Sequence, residues 1–289
     1  MKTYVITDDN SGINKEEAAL LGIGLVRMPI IINDDVYYEN DSINEEKFYS
    51  LLSNNNNNIK TSQPSIGEVC EIFDRILKEY DQIIYIPMSS GLSSTCATGI
   101  CLASDYNGKV IVIDNHRISV TLKESIYDAL TLIKKGYEGN KIKEILENEA
   151  SNTSIYIMVD TLTYLKKGGR ITAAGALIGG ALHIKPVLKI NGGKLDAFAK
   201  CLGNKKAKLC MIQAIENDLR NKFKDFNINE LQIAMAYTHD LEEALIFKKE
   251  VMKYFSLNDK DILMDPLSLS IGVHIGPGSL AITLSHRIY

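Results

Sequence analysis

Five cysteines are few for 289 residues, and none stands in a CxxC pair. An odd count without paired spacing excludes a disulfide framework and a structural zinc site, so reduced and mostly buried thiols are expected. Blocks of basic residues are missing too. The formal net charge is −4, which excludes nucleic acid or an acidic membrane as partners recruited by bulk charge. No long apolar run is present. The longest nearly apolar stretch, Ala173 to Ile184, contains His183 and is too short to cross a bilayer, so no transmembrane segment is expected. The opening run Tyr4-Val5-Ile6 meets Thr7-Asp8 too early for a signal peptide, and a cytoplasmic protein is expected. Also missing are a P-loop, a glycine-rich ATP loop and a carboxylate cluster suited to magnesium. The chain alone is therefore not expected to be a kinase or an ATPase, nor to carry a metal or a cofactor.

What is there alternates. Strand-like runs at Tyr4–Thr7, Leu25–Ile32, Gln82–Pro87, Val110–Asp114 and Ile155–Val159 are separated by amphipathic helical patterns at Asn14–Leu21, Glu45–Leu52, Ile66–Tyr80, Ile118–Lys135 and Lys141–Glu149. Such alternation predicts a parallel sheet with helices on both faces. Beyond it come a small-residue helix over Thr172–Ile184 and a hairpin, Pro186–Ile190 and Leu195–Cys201, turned at Asn191-Gly192-Gly193. Helices near Lys205–Lys222 and Leu241–Tyr254 flank a strand-like run at Leu231–Tyr237. Ile271–Gly276 reads as an apolar strand and Leu280–Leu284 as the last one. The expected fold class is α/β in two domains. Residues 1–157 form the parallel sheet with helices on both faces, and residues 158–289 form an α/β domain with a mixed sheet.

Two hydroxyl-rich loops carry the chemistry. Thr61-Ser62-Gln63-Pro64-Ser65 precedes one helix, and Ser89-Ser90-Gly91-Leu92-Ser93-Ser94-Thr95 joins the strand at Gln82–Pro87 to another. A strand opening into a Ser/Gly loop at a helix start aims free N–H groups and hydroxyls at one point, which suits an anion. Helix capping accounts for one hydroxyl per helix, not for the five hydroxyl residues among the seven of the second loop. Neither loop carries Lys, Arg or His, so the donors are neutral. Gly168-Gly169-Arg170 reads as a tight turn with a surface charge, or as an Arg held at the mouth of a site. His274 lies among glycines in Gly272-Val273-His274-Ile275-Gly276-Pro277-Gly278, which allows close approach of a ligand or another backbone. Asp8 and Asp9 follow the first strand, as site residues or as turn caps. Glycines in the helix from Ala173 weaken it by about 1 kcal/mol each relative to alanine, and a long apolar ligand against it is one reason to keep them.

These pieces, in this order, resemble the DegV family of bacterial lipid-binding proteins. The carrying residues are Ile6-Thr7-Asp8, the two hydroxyl loops, Tyr164-Leu165-Lys166-Lys167-Gly168-Gly169-Arg170-Ile171 and His274-Ile275-Gly276-Pro277-Gly278. The resemblance spans the chain and implies two α/β domains with one long-chain fatty acid between them. For many members it further implies service as the lipid-binding subunit of a bacterial fatty acid kinase, whose separate ATP-binding subunit makes an acyl phosphate for phospholipid synthesis. Carried over, Thr61, Ser62 and Ser93 bind the carboxylate, with Ser94 beside them. His274 lies close to it, and Arg170 engages the kinase subunit. Ser94 and Cys96 stand where many relatives have a glycine and an aromatic, and Asp9 where they commonly have Ser. Competing readings are a sugar-phosphate isomerase-like enzyme, with Asp8 as its base, and a lipid carrier or sensor with no kinase partner. A serine hydrolase fits less well, because Gly91-Leu92-Ser93-Ser94-Thr95 lacks the second glycine of a nucleophile elbow.

Magnitudes divide the labour. A dozen buried methylenes at about 0.8 kcal/mol each outweigh a few neutral hydrogen bonds at about 1 kcal/mol. The tail is expected to supply affinity, and the hydroxyls to set which end faces out.

Overall fold

The computed structural model describes residues 1–173, 184–190 and 193–288. Of the helix expected over Thr172–Ile184, residues 174–183 lie outside the described residues, as does most of the turn at Asn191-Gly192-Gly193, and Ile184 belongs to a strand.

The first sheet is parallel, in the order β2-β1-β6-β7, from β1 (Thr3–Asp8), β2 (Gly24–Val26), β6 (Gln82–Ile86) and β7 (Val110–Val112). Its pleat sends Ile6, Ile83 and Tyr85 to one face, under α3 (Ile66–Ile76) and α4 (Thr95–Ala103). Val5, Ile84 and Ile86 go to the other, under α5 (Val120–Lys134) and α6 (Gly139–Asn148). Both faces are therefore covered, as the alternating pattern predicts.

The second sheet is mixed, in the order β10-β9-β8-β13-β11-β12. Its strands are β8 (Thr153–Met158), β9 (Ile184–Ile190), β10 (Leu195–Leu202), β11 (Leu231–Tyr237), β12 (Leu263–Pro266) and β13 (Leu280–His286), antiparallel except for β11 with β12. The strand expected at Ile155–Val159 was grouped with the first sheet by alternation. It pairs instead with β9 and β13, inside the second. One face of this sheet, with Tyr156, Met158, Met235 and Ile282, lies under α8 (Asn204–Asn221) and α9 (Leu241–Phe255). The other face, with Ile155, Ile157 and Ala281, turns toward the first unit.

Between the units runs α5, buried on nearly every side. Its Lys123 bridges Glu17 (2.9 Å) in the N-terminal unit and Asp265 (2.7 Å) on β12. Burying an ammonium costs several kcal/mol unless it is paired, so this lysine ties the two units through two carboxylates.

A third, small sheet has no counterpart in the sequence reading. The run Leu25–Ile32 is not one strand. Pro29 has no N–H to continue a ladder, and the chain leaves the parallel sheet there. It forms β3 (Ile30–Ile32), which pairs antiparallel with β4 (Asp35–Tyr37) and β5 (Ile59–Thr61). Ile30, Ile32 and Ile59 pack with Phe48 and Leu52 of α2 (Glu45–Ser53), and with Leu269 and Val273. Those last two lie on α10 (Leu269–Ile275), the segment read from sequence as a strand. This packing carries a late helix of the chain to the end of β5.

Candidate functional site

Outside the carboxyl ends of β1 and β6, where open α/β sheets collect ligands, lies a cavity of about 340 Å³. That is within the roughly 300–1,000 Å³ usual for small-molecule sites. It sits between the units: Met28, Met88 and Ile118 line it from one side, and Ile157, Ile190 and Leu267 from the other. Among the described residues, part of the cavity wall is the inner face of the second sheet. There Ala236, Ala281 and Thr283 present small side chains on β11 and β13.

One end is polar. Thr61, at the end of β5, places its Oγ1 2.7 Å from Nε2 of His274 on α10. The ring's Nδ1 is buried without a partner among the described residues. Burial, and secondarily the nearby Arg170 guanidinium, push the His274 pKa down to about 4, so the imidazole is neutral at pH 7. In the Nε2–H tautomer the ring donates to Thr61, leaving the Thr61 hydroxyl to donate into the cavity. From the second loop, Ser93 Oγ accepts the Thr95 N–H (3.2 Å) and lies 2.9 Å from Thr95 Oγ1. These contacts hold it at the N-terminus of α4. Ser94 and Thr98 each donate to Gln63 Oε1 at 2.9 Å and so join the two hydroxyl loops. Ser62 is exposed, its Oγ donating to the Gln63 carbonyl (3.1 Å).

The turn Gly168-Gly169-Arg170 fixes the rest of the mouth. It ends α7 (Thr163–Gly168), with Gly169 in the left-handed conformation at φ +66°. A Cβ on Gly168 would lie 2.3 Å from His274 Nδ1, so glycine there is what lets the ring sit against the turn. Arg170 is half-buried, its Nε donating to the Leu92 carbonyl (3.3 Å) across the units. Its Nη1 donates to the Gly168 carbonyl (2.5 Å).

The cavity thus brings together all six residues singled out in the sequence: Thr61, Ser62, Ser93, Ser94, Arg170 and His274. Asp8 and Asp9 are not among its lining residues. Asp8 is fully buried and accepts from the Met88 N–H (2.9 Å) and the Asn10 N–H (3.1 Å), joining the ends of β1 and β6. Burial pushes its pKa up to about 6 despite those two donors. Asp9 accepts from the Met28 N–H (2.9 Å). No carboxylate lines the cavity among the described residues.

Sequence reasoning did not single out Gln63, Asn10, Ser119 and Ser270, all of which line the cavity. The spacing of Ser270, Ile271, His274 and Ile275 is a helical face, and that was the available signal for the helix behind His274. Among the described residues no cluster of His, Cys, Asp and Glu is suited to a metal, and no helix is long and apolar enough to cross a membrane. The five cysteines are free; Cys96 and Cys201 are buried, whereas Cys101 is exposed, contrary to expectation.

Residues 2–287 match the model of a family described as an uncharacterised protein family, DegV. A DegV domain-containing protein of Staphylococcus aureus is 28% identical, the match covering 98% of both chains. One of Clostridium acetobutylicum is 29% identical over 98% of this chain and 97% of its own. Among solved structures, DegV from Bacillus subtilis, described as a fatty acid binding protein, aligns with a TM-score of 0.82 at 27% identity, covering 99% of this chain and 100% of that one. A DegV family protein from Thermus thermophilus, described by its fatty acid binding, aligns at 0.88 and 23% identity with the same coverage, which shows the shared fold.

Proposed function

The chain belongs to the DegV family, and on that premise we propose that it binds one long-chain fatty acid between its units, tail in the cavity and carboxylate at the hydroxyl-lined end. The observation that carries the reading is the make-up of that cavity: largely apolar walls from both units, and the Thr61, Ser62, Ser93 and Ser94 hydroxyls gathered with His274 at its mouth. The ligand class named for its structural neighbours supports it.

The finer reading is that the chain presents the carboxylate to a separate ATP-dependent kinase subunit. Thr61 and Ser93 donate to the headgroup, Ser62 and Ser94 join them by turning their hydroxyls away from Gln63, and His274 orients Thr61. Arg170 faces the incoming phosphoryl group or the partner. A carboxylate paired with a guanidinium loses nucleophilicity; one held by hydroxyls and a neutral imidazole keeps it. A carboxylate oxygen then attacks the γ-phosphorus of ATP, forming the acyl O–P bond as the bond to ADP breaks and ADP leaves. Arg170 offsets the charge spread over the transferring group. The sugar-phosphate reading needs a carboxylate base in the pocket, and Asp8, its candidate, is engaged elsewhere by two backbone donors.

Native mass spectrometry of the purified chain is expected to show a mass excess of one fatty acid; a ligand-free chain that takes up none would end the proposal. With a kinase subunit and ATP added, Ser93→Ala is expected to lower acyl phosphate formation at least tenfold. Lipid retention should change only about fivefold, the worth of one hydrogen bond. Equal losses would contradict the division between headgroup and tail, and no acyl phosphate from the wild type would leave a carrier.

A further inference from the structure

The cavity has a second polar region, and the carboxylate does not need it. Ser119 lines the cavity, is only 6% exposed, and its Oγ has no hydrogen-bond partner among the described residues. A buried hydroxyl left unpaired costs about 1–3 kcal/mol, and on a residue of the cavity wall a turn about χ1 would give it a ligand atom as partner. Ser119 is also held in an unusual backbone conformation, φ +56°, just before α5. Its N–H donates to the Asn10 carbonyl (2.8 Å).

Asn10 links it to the wall opposite. The Asn10 Oδ1 accepts from Ser268 (2.8 Å) and from Ser270, and its Nδ2 donates to Met88 Sδ (3.0 Å). With both serine protons directed at Asn10, the Ser270 oxygen retains acceptor capacity on the cavity side. Ser270 stands one helical turn from His274 on α10, and both line the cavity. Thr283 lines the same space, but its hydroxyl is directed at the Ala234 carbonyl (3.4 Å).

An unpaired donor and an acceptor on the wall of one cavity, both tied to Asn10, match a group that both donates and accepts. We infer that Asn10, Ser119 and Ser270 form a second subsite that recognises a hydroxyl carried on the acyl chain, making hydroxylated fatty acids preferred ligands. This rests on the fatty-acid reading above and adds the ligand subclass. The Ser119 hydroxyl would donate to the ligand oxygen, and the ligand hydroxyl would donate to Ser270.

The test is competition binding to the delipidated chain by stearic acid and a series of hydroxystearic acids with the hydroxyl moved along the chain. One positional isomer is expected to bind about tenfold more tightly than stearic acid, from two added hydrogen bonds, with its neighbours in the series falling away. Ser119→Gly, which the positive φ tolerates, and Ser270→Ala are each expected to bring that ratio back toward one. A variant that merely folds poorly weakens both acids alike and leaves the ratio at its wild-type value, which counts against the subsite. If stearic acid binds and no isomer exceeds it, the subsite is only hydrated and the inference fails while fatty acid binding stands. If no acid binds, stearic acid included, both fall.

Discussion

The two large sheets are built alike and finished differently. The parallel sheet carries helices on both faces, and its apolar side chains are consumed in packing. Among the described residues, the mixed sheet carries α8 and α9 on one face and meets the other unit with the other. Its other face ends partly in alanines and opens onto the cavity. Among the described residues, the binding slot lies where the sheet is covered by the other unit and not by helices of its own unit. Specificity is then written around the slot's rim, by loops from the other unit.

That contrast is open to attack by adding bulk on either face. Ala281→Phe points into the slot. It is expected to leave the fold intact while displacing several methylenes of ligand, with a loss of affinity of at least about 100-fold in fatty acid titrations. Ala207→Phe, on the helix-covered side where the site is 0% exposed, has no space to fill and should destabilise by about 1–3 kcal/mol in denaturant unfolding. Equal behaviour of the two variants would show that the inner face is not a tail site. Gly168→Ala tests the rim instead. Its Cβ displaces the His274 ring and breaks the hydrogen bond to Thr61, so an affinity loss of about tenfold is expected, the same for short and long acids. A loss that grows with chain length would place the damage in the slot.

A pH dependence tests the same contact. His274 titrates near 4 in the folded chain against about 6.5 when exposed, so the fold favours the neutral ring. Its contribution to stability is complete above about pH 6.5 and is lost as pH falls toward 4. Glu39 and Glu124, pushed up to about 7 by burial, act in the opposite sense: their contribution is present at low pH and is lost as pH rises through 7. Unfolding curves of the wild type and His274→Gln should therefore differ in slope between pH 6.5 and 4 and run parallel above it. Parallel curves throughout would mean the ring is solvated.

Periodicity made most strands of the two large sheets legible, because strands such as Gln82–Ile86 and helices such as Val120–Lys134 show their repeat, whereas β12 (Leu263–Pro266) gave no such signal. The three-residue strands β3, β4 and β5 are too short for that, and they are the ones that deliver Thr61. Glycines around His274 masked a helix as a strand. The hydroxyls of the mouth were visible as clusters within single loops, whereas Asn10, Ser119 and Ser270 meet only through folding, with Asn10 and Ser270 260 positions apart. Gln63 lay in plain view inside a motif, but only the geometry gives it the task of joining both loops.

The bond between Thr61 and His274 spans 213 positions of chain. A nascent polypeptide therefore cannot close its grip on an acid headgroup until the ribosome has released α10. Premature termination anywhere before that helix yields a chain with the early hydroxyls and no latch to set them.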